Sequence, residues 1–241
     1  MGIHDRPYAR RPSSRGLFAA FSPLSITTAL IALNLLVWIL NRLIRPAARP
    51  DLPTPLFQYG HYSLATLQHF QLWRLLTFPF LHPHPFPLFT NMLCLFLFGP
   101  IVESQLGPKR YLALYLLASL AAAATYTILA LTHTLIPDPT TPLTGSSAGT
   151  LAILLTAALT AGDVPIPLYM ELSASLRTLA WVAFAVATYA TLTTPPHSQP
   201  AHLAGPAVAL LLLYRDQIRD FVHPHPHRRR LQKDWSRDFN R

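Results

Sequence analysis

The feature that most constrains this chain is a set of apolar runs too long for the elements of a water-soluble core. A bilayer-spanning helix needs roughly 20 predominantly apolar residues, and six stretches approach that length, at about 24–43, 86–104, 110–132, 145–161, 175–194 and 201–214. Only 12% of the 241 residues are charged and 51% are hydrophobic, with the apolar ones clustered and not recurring at helix or strand period. The expected fold is an all-α membrane protein with six transmembrane helices. Short fourth and sixth runs suit helices that begin below the membrane surface at a water-filled cavity. Arg6, Arg10, Arg11 and Arg15 precede the first run as in a signal sequence, but that run exceeds the about 7–15 residues of a signal core. Arg6 also stands where a myristoylation motif needs Ser or Thr.

Charge fixes the expected orientation. With the amino terminus inside, 15 of the 19 Lys and Arg residues fall on the inner side and only Arg42, Arg45, Arg49 and Arg74 on the outer, as the positive-inside bias requires. The net charge of +9 therefore reports topology, with some attraction to anionic lipid. No aromatic-basic platform accompanies it, so nucleic acid is not an expected partner. The expected organisation is a basic cytosolic tail at 1–22, a membrane domain at 23–216 and a second basic, His/Arg-rich cytosolic tail at 217–241. His223, His225 and His227 alternate with prolines in that second tail, and a solvated basic segment is preferred there over a weak metal site. Cys94 is the one cysteine, so there is no disulfide framework, and it reads as a small apolar filler on a helix.

About 42 residues separate the first two spans. The part YSLATLQHFQLWRLLTFPFLH alternates apolar and polar residues at helical spacing, which predicts short helices lying in the outer interface. Loops of this length are commonly functional.

On the same outer side lie the residues able to carry chemistry. LTGSSAGTLAIL (143–154) puts Ser146 and Ser147 between glycines at the start of the fourth span; alone they are either a nucleophile or small residues for helix packing. A serine needs a base, and His202, which opens the sixth span from the same side, is the best candidate. Gly205 lies one turn below His202, facing small residues at Gly145 and Ala148, so the two helices can approach closely. The backbone N–H near Ser147 sits at a helix amino end, where it can stabilise an oxyanion, and Asn91 in the second span offers a side-chain donor.

These residues resemble those of the rhomboid family of intramembrane serine proteases, from about residue 73 to 210. Trp73-Arg74 resembles the family's Trp-Arg pair, Asn91 the Asn of its His-x-x-x-Asn element, and Glu103 with Gly107 its Glu-x-x-x-Gly. Gly145-Ser146-Ser147 matches Gly-x-Ser, and His202 with Gly205 matches His-x-x-Gly. The resemblance implies a rhomboid-like bundle with a long membrane-associated first loop and a Ser147–His202 dyad that cleaves transmembrane segments of other proteins through an acyl-enzyme. It further implies no cofactor, no metal, and access of substrate along the fifth span. A compact six-span core resembles bacterial members, which implies the inner membrane.

Three positions depart from the family pattern. Ala148 replaces the second glycine after the nucleophile, Pro87 the histidine four before Asn91, and Leu151 an aromatic four after Ser147. Either His82 or His84 is near enough in sequence to stand in for the lost side chain. Trp73 and Arg74 are expected to anchor the first loop, with Arg74 bonding loop carbonyls; Glu103 is expected to pair with Lys109 or Arg110, Asn34 to bond between helices, and Pro206 to kink the sixth helix. The competing reading is a binding module of the same fold that holds membrane-protein clients without cutting them. A transporter is disfavoured, because no carboxylate lies mid-span to couple ions.

Overall fold

In the computed structural model, which describes residues 25–44, 54–160, 165–169, 172–193 and 199–222, every apolar run yields a helix. In chain order these are α1 (Ile26–Leu43), the short α2 (Pro55–Gly60), α3 (Leu64–Gln68) and α4 (Arg74–Thr77), then α5 (Pro85–Leu106), α6 (Pro108–Leu131) and α7 (Ser147–Thr160). An antiparallel pair follows, β1 (Pro165–Tyr169) with β2 (Leu172–Ser175), and then α8 (Leu176–Thr193) and α9 (Ala204–Val222). The two strands correct the all-α expectation: the fold is mostly helical. Both tails expected from the sequence lie outside the described residues, except that α9 continues past 214 to Val222.

Helices α1, α5, α6 and α8 are long and apolar enough to cross a membrane. α7 has only 14 residues, and every residue from Ala148 to Ala158 is buried. It packs against α5, α6, α8 and α9, which explains why its sequence is apolar all round: a helix with no solvent or lipid face needs no polar stripe. The principal core joins Leu95, Phe98, Val102, Tyr111 and Leu114 to Ile153 and Leu154 of α7. A second, smaller one (Tyr62, Phe78, Tyr126, Ile136 and Leu143) lies beneath the short helices.

Glu103, expected from sequence to pair with Lys109 or Arg110, caps the start of another helix. Its carboxylate accepts hydrogen bonds from the Ile26 and Thr27 N–H groups at 2.8 and 2.9 Å and from Thr27 Oγ1 at 2.7 Å. It thus satisfies the orphan donors at the start of α1, where a negative charge also suits the helix dipole. Replacing Glu103 by Gln is expected to destabilise the fold by about 1–3 kcal/mol, read as a lowered thermal midpoint in detergent micelles. Four residues on, Gly107 has φ +79 and turns the chain straight into Pro108 at the start of α6; nothing lies within 4 Å of the Cβ it lacks, so the backbone alone calls for glycine there.

Asn34 donates to the Leu30 carbonyl of its own helix at 2.8 Å, and its side chain also meets Tyr115 of α6, in keeping with a residue that bonds between helices. One further expectation is corrected. Pro206 lies in the first turn of α9, where its missing N–H has no helical partner to lose, so it opens the helix without kinking it.

Arg74, buried in the segment between α1 and α5, behaves as expected. Its Nη1 donates to the carbonyls of Gln58 and His61, both at 2.7 Å, and its Nε to Gln71 Oε1 at 2.6 Å. Trp73 is half-exposed and donates from Nε1 to the Tyr59 carbonyl at 3.1 Å. The same segment is tied to the chain ahead of α7: Tyr62 and Leu143 exchange two backbone hydrogen bonds, at 3.2 and 2.7 Å. That link fixes the residues leading into the serine pair.

Candidate active site

The site is built where three chain segments meet at the start of α7. Gly145 adopts φ +96 and donates its N–H to the Phe78 carbonyl at 2.9 Å. A Cβ here would meet His82 Nε2 at 3.7 Å, an ordinary contact, so the left-handed backbone is what demands glycine. The turn places Ser147 at the first helical position of α7 with its side chain half-buried. Ser146, one residue earlier, is wholly buried.

Ser147 lines a small cavity of about 40 Å³ together with His82, Asn91, Thr144 and Thr191, space for a water molecule or two. Asn91, on α5, donates from Nδ2 to Ser147 Oγ at 3.3 Å, and the same nitrogen lies 3.3 Å from His82 Nε2. Pro87 and the exposed His84 also line this cavity. His84 makes no hydrogen bond to Asn91 or Ser147; of the two histidines considered from sequence, His82 is the one at the site.

His202 sits in a 3₁₀ turn, Gln199–Leu203, just ahead of α9, and is completely buried. Its Nε2–H donates to the Thr144 carbonyl at 3.1 Å, while its Nδ1 has no partner. No hydrogen bond joins His202 to Ser147. The two are nevertheless held at one helix crossing, because Gly205 brings α9 against the α7 backbone. A Cβ on Gly205 would lie 2.1 Å from the Ala148 carbonyl oxygen, a separation no side chain tolerates.

His82 is buried in the linker between α4 and α5. Its Nε2 lies 3.4 Å from the Ser146 N–H and 3.3 Å from Ser146 Oγ. Burial pushes its imidazole down to about 4, the Phe80 carbonyl opposing this and His202 adding to it, so the ring is neutral near pH 7.

The structure thus brings together Asn91, Ser147, Gly145 and, through the Gly205–Ala148 contact, His202. It leaves Trp73 and Arg74 outside the cavity, in the segment that braces it, and buries Leu151 within α7. Sequence reasoning named Ser146 but missed its contact with His82, and it missed the Thr144 carbonyl, which has no signature apart from adjacency to the nucleophile motif.

From the cavity an apolar groove of about 540 Å³ opens between α5 and α8, lined by Leu93, Leu97, Leu179, Val182 and Val186. Phe86, Thr90, Ala187 and Ala190 belong to both cavity and groove, so the groove adjoins the cavity that Ser147 lines. Comparison with protein families gives a match to the Rhomboid domain over residues 69–216. Comparison with curated proteins gives no match.

Proposed function

Because the chain belongs to the rhomboid family and is an integral membrane protein, we propose that it is an intramembrane serine endopeptidase that cleaves transmembrane segments of other membrane proteins. The observation that carries this reading is the Asn91 Nδ2–Ser147 Oγ hydrogen bond at 3.3 Å, at the inner end of an apolar groove. A donor aimed at a serine in a small, partly enclosed cavity is what stabilisation of an acyl-transfer oxyanion needs. In this reading all six apolar helices cross the membrane, with both termini cytosolic, and the inner membrane of a bacterium is the compartment. Substrate reaches the serine between α5 and α8.

His202 takes the Ser147 proton as Oγ attacks the scissile carbonyl carbon. The oxyanion is held by the Ser147 backbone N–H and the Asn91 amide. His202 returns the proton to the departing amine, and water hydrolyses the acyl-enzyme by the same steps in reverse order. For this the lone pair of His202 must face Ser147. The ring therefore has to exchange its bond to the Thr144 carbonyl for one to the hydroxyl, a reorientation that catalytic hydrogen bonds commonly undergo when substrate binds.

Replacing Asn91 by Ala is expected to lower kcat about 10²–10³-fold, the loss associated with one oxyanion donor, with KM little changed because the bond strengthens only in the transition state. Kinetics on a transmembrane reporter in liposomes measure both. The second reading, a client-binding member that does not cut, is favoured by two specific observations: the absence of a Ser147–His202 hydrogen bond, and Pro87 in place of a donor at the cavity wall. Wild-type protein that holds the reporter without cutting it supports that reading.

A further inference from the structure

On the premise that Ser147 is the nucleophile, we infer that His82 is a positioning residue: its Nε2 accepts hydrogen bonds and thereby turns the Asn91 amide so that NH₂, not the carbonyl oxygen, faces Ser147.

The direction of these bonds follows from chemistry. Three groups converge on His82 Nε2: the Ser146 N–H at 3.4 Å, Ser146 Oγ at 3.3 Å and Asn91 Nδ2 at 3.3 Å. A backbone N–H only donates and cannot turn away, so Nε2 presents its lone pair and the ring proton sits on Nδ1. A primary amide has two faces, one donating and one accepting, of nearly the same shape. With a lone pair at Nε2, the Asn91 oxygen would meet an acceptor at 3.3 Å, whereas its NH₂ meets one acceptor there and a second at Ser147 Oγ, also at 3.3 Å. Only the orientation with NH₂ toward the site satisfies both neighbours.

The consequence concerns the position that Pro87 leaves without a donor. His82 does not replace the missing donor, since its Nε2 has no proton to give. It secures the side-chain donor that remains. Burial of the imidazole, which holds it neutral, keeps that acceptor in place across the physiological range.

The test is a double-mutant cycle on full-length protein in liposomes, read both as kcat on a transmembrane reporter and as the rate of fluorophosphonate labelling. His82→Phe keeps the ring volume without an acceptor and is expected to lose about 10- to 100-fold in kcat with KM unchanged, less than loss of the donor itself. His82→Gln, whose Oε1 falls near the place of Nε2, is expected to recover most of that loss. In an Asn91→Ala background, His82→Phe is expected to cost nothing further, because the group it orients is gone. A merely structural role predicts that the two losses multiply and that Gln and Phe behave alike. Either of those results overturns the inference, as does a His82→Phe protein that labels as fast as wild type. Wild type that neither cuts nor labels, in a folded sample, overturns the assignment of Ser147 and this inference with it.

Discussion

Fluorophosphonate treatment of the purified protein is expected to modify Ser147 and no other serine, and the modification is expected to fall about 10⁴-fold or more in Ser147→Ala and in His202→Ala. The magnitude follows from how a dyad acts: nucleophile and base work as a unit, so removing either removes nearly the whole of the chemical assistance. The structure makes the choice between adjacent serines testable by peptide mapping. Ser146 Oγ lies 3.3 Å from His82 Nε2, which on distance alone resembles a serine–base pair. Yet Ser146 is wholly buried, and only Ser147 lines the cavity. A label on Ser146 would transfer the nucleophile to that residue and the base to His82.

The second large effect is expected at Gly205, a residue that touches no substrate. Gly205→Ala adds one carbon, and that carbon would sit 2.1 Å from the Ala148 carbonyl oxygen and 2.8 Å from its carbonyl carbon. Backbone cannot swing aside as a side-chain tip does, so α9 must move off α7. Overpacking of a core costs about 1–3 kcal/mol, and with backbone as the obstacle the loss is expected at or above the top of that range. Because His202 immediately precedes α9, the same displacement separates base from nucleophile, and a shift of about 1 Å at a reacting pair is enough for a loss near 10²-fold. Gly107→Ala is the control. It has positive φ but open space around the missing Cβ, so it is expected to cost only the strain of a backbone conformation that suits glycine, about 1–3 kcal/mol, with activity per folded molecule retained. Thermal unfolding in micelles and reporter cleavage, measured on both variants, separate packing from backbone strain.

What the sequence disclosed, and what it did not, follows from the range of the interactions involved. The apolar runs are a local property, and α1, α5, α6 and α8 appear within two residues of the ranges expected from them. Asn91 and Ser147 were singled out by their places near the outer ends of apolar runs, and Gly205 by its spacing of one helical turn from His202. The capping role of Glu103 was out of sight because the groups it caps, Ile26 and Thr27, lie more than 70 positions away. Pro206 was misread for want of the helix start: two residues inside a helix a proline is harmless, and in mid-helix it is not. The strands β1 and β2 are four or five residues long and include Pro165 and Pro167, so no alternation of useful length marks them. His82 sits in a Pro-rich linker where no helical period relates it to Asn91. Only the folded chain brings its ring against both Ser146 and the amide.

The proposed reaction also rests on a feature no sequence shows: His202 is bonded to the Thr144 carbonyl, and to serve as the base it would have to exchange that bond for one to the Ser147 hydroxyl. The most direct test of the central claim is cleavage of a transmembrane reporter by the purified protein in liposomes, with product termini mapped and wild type compared with Ser147→Ala and His202→Ala. The account predicts a defined cut by wild type alone. A folded wild-type protein that leaves the reporter intact, or a cut that persists in Ser147→Ala, would contradict it.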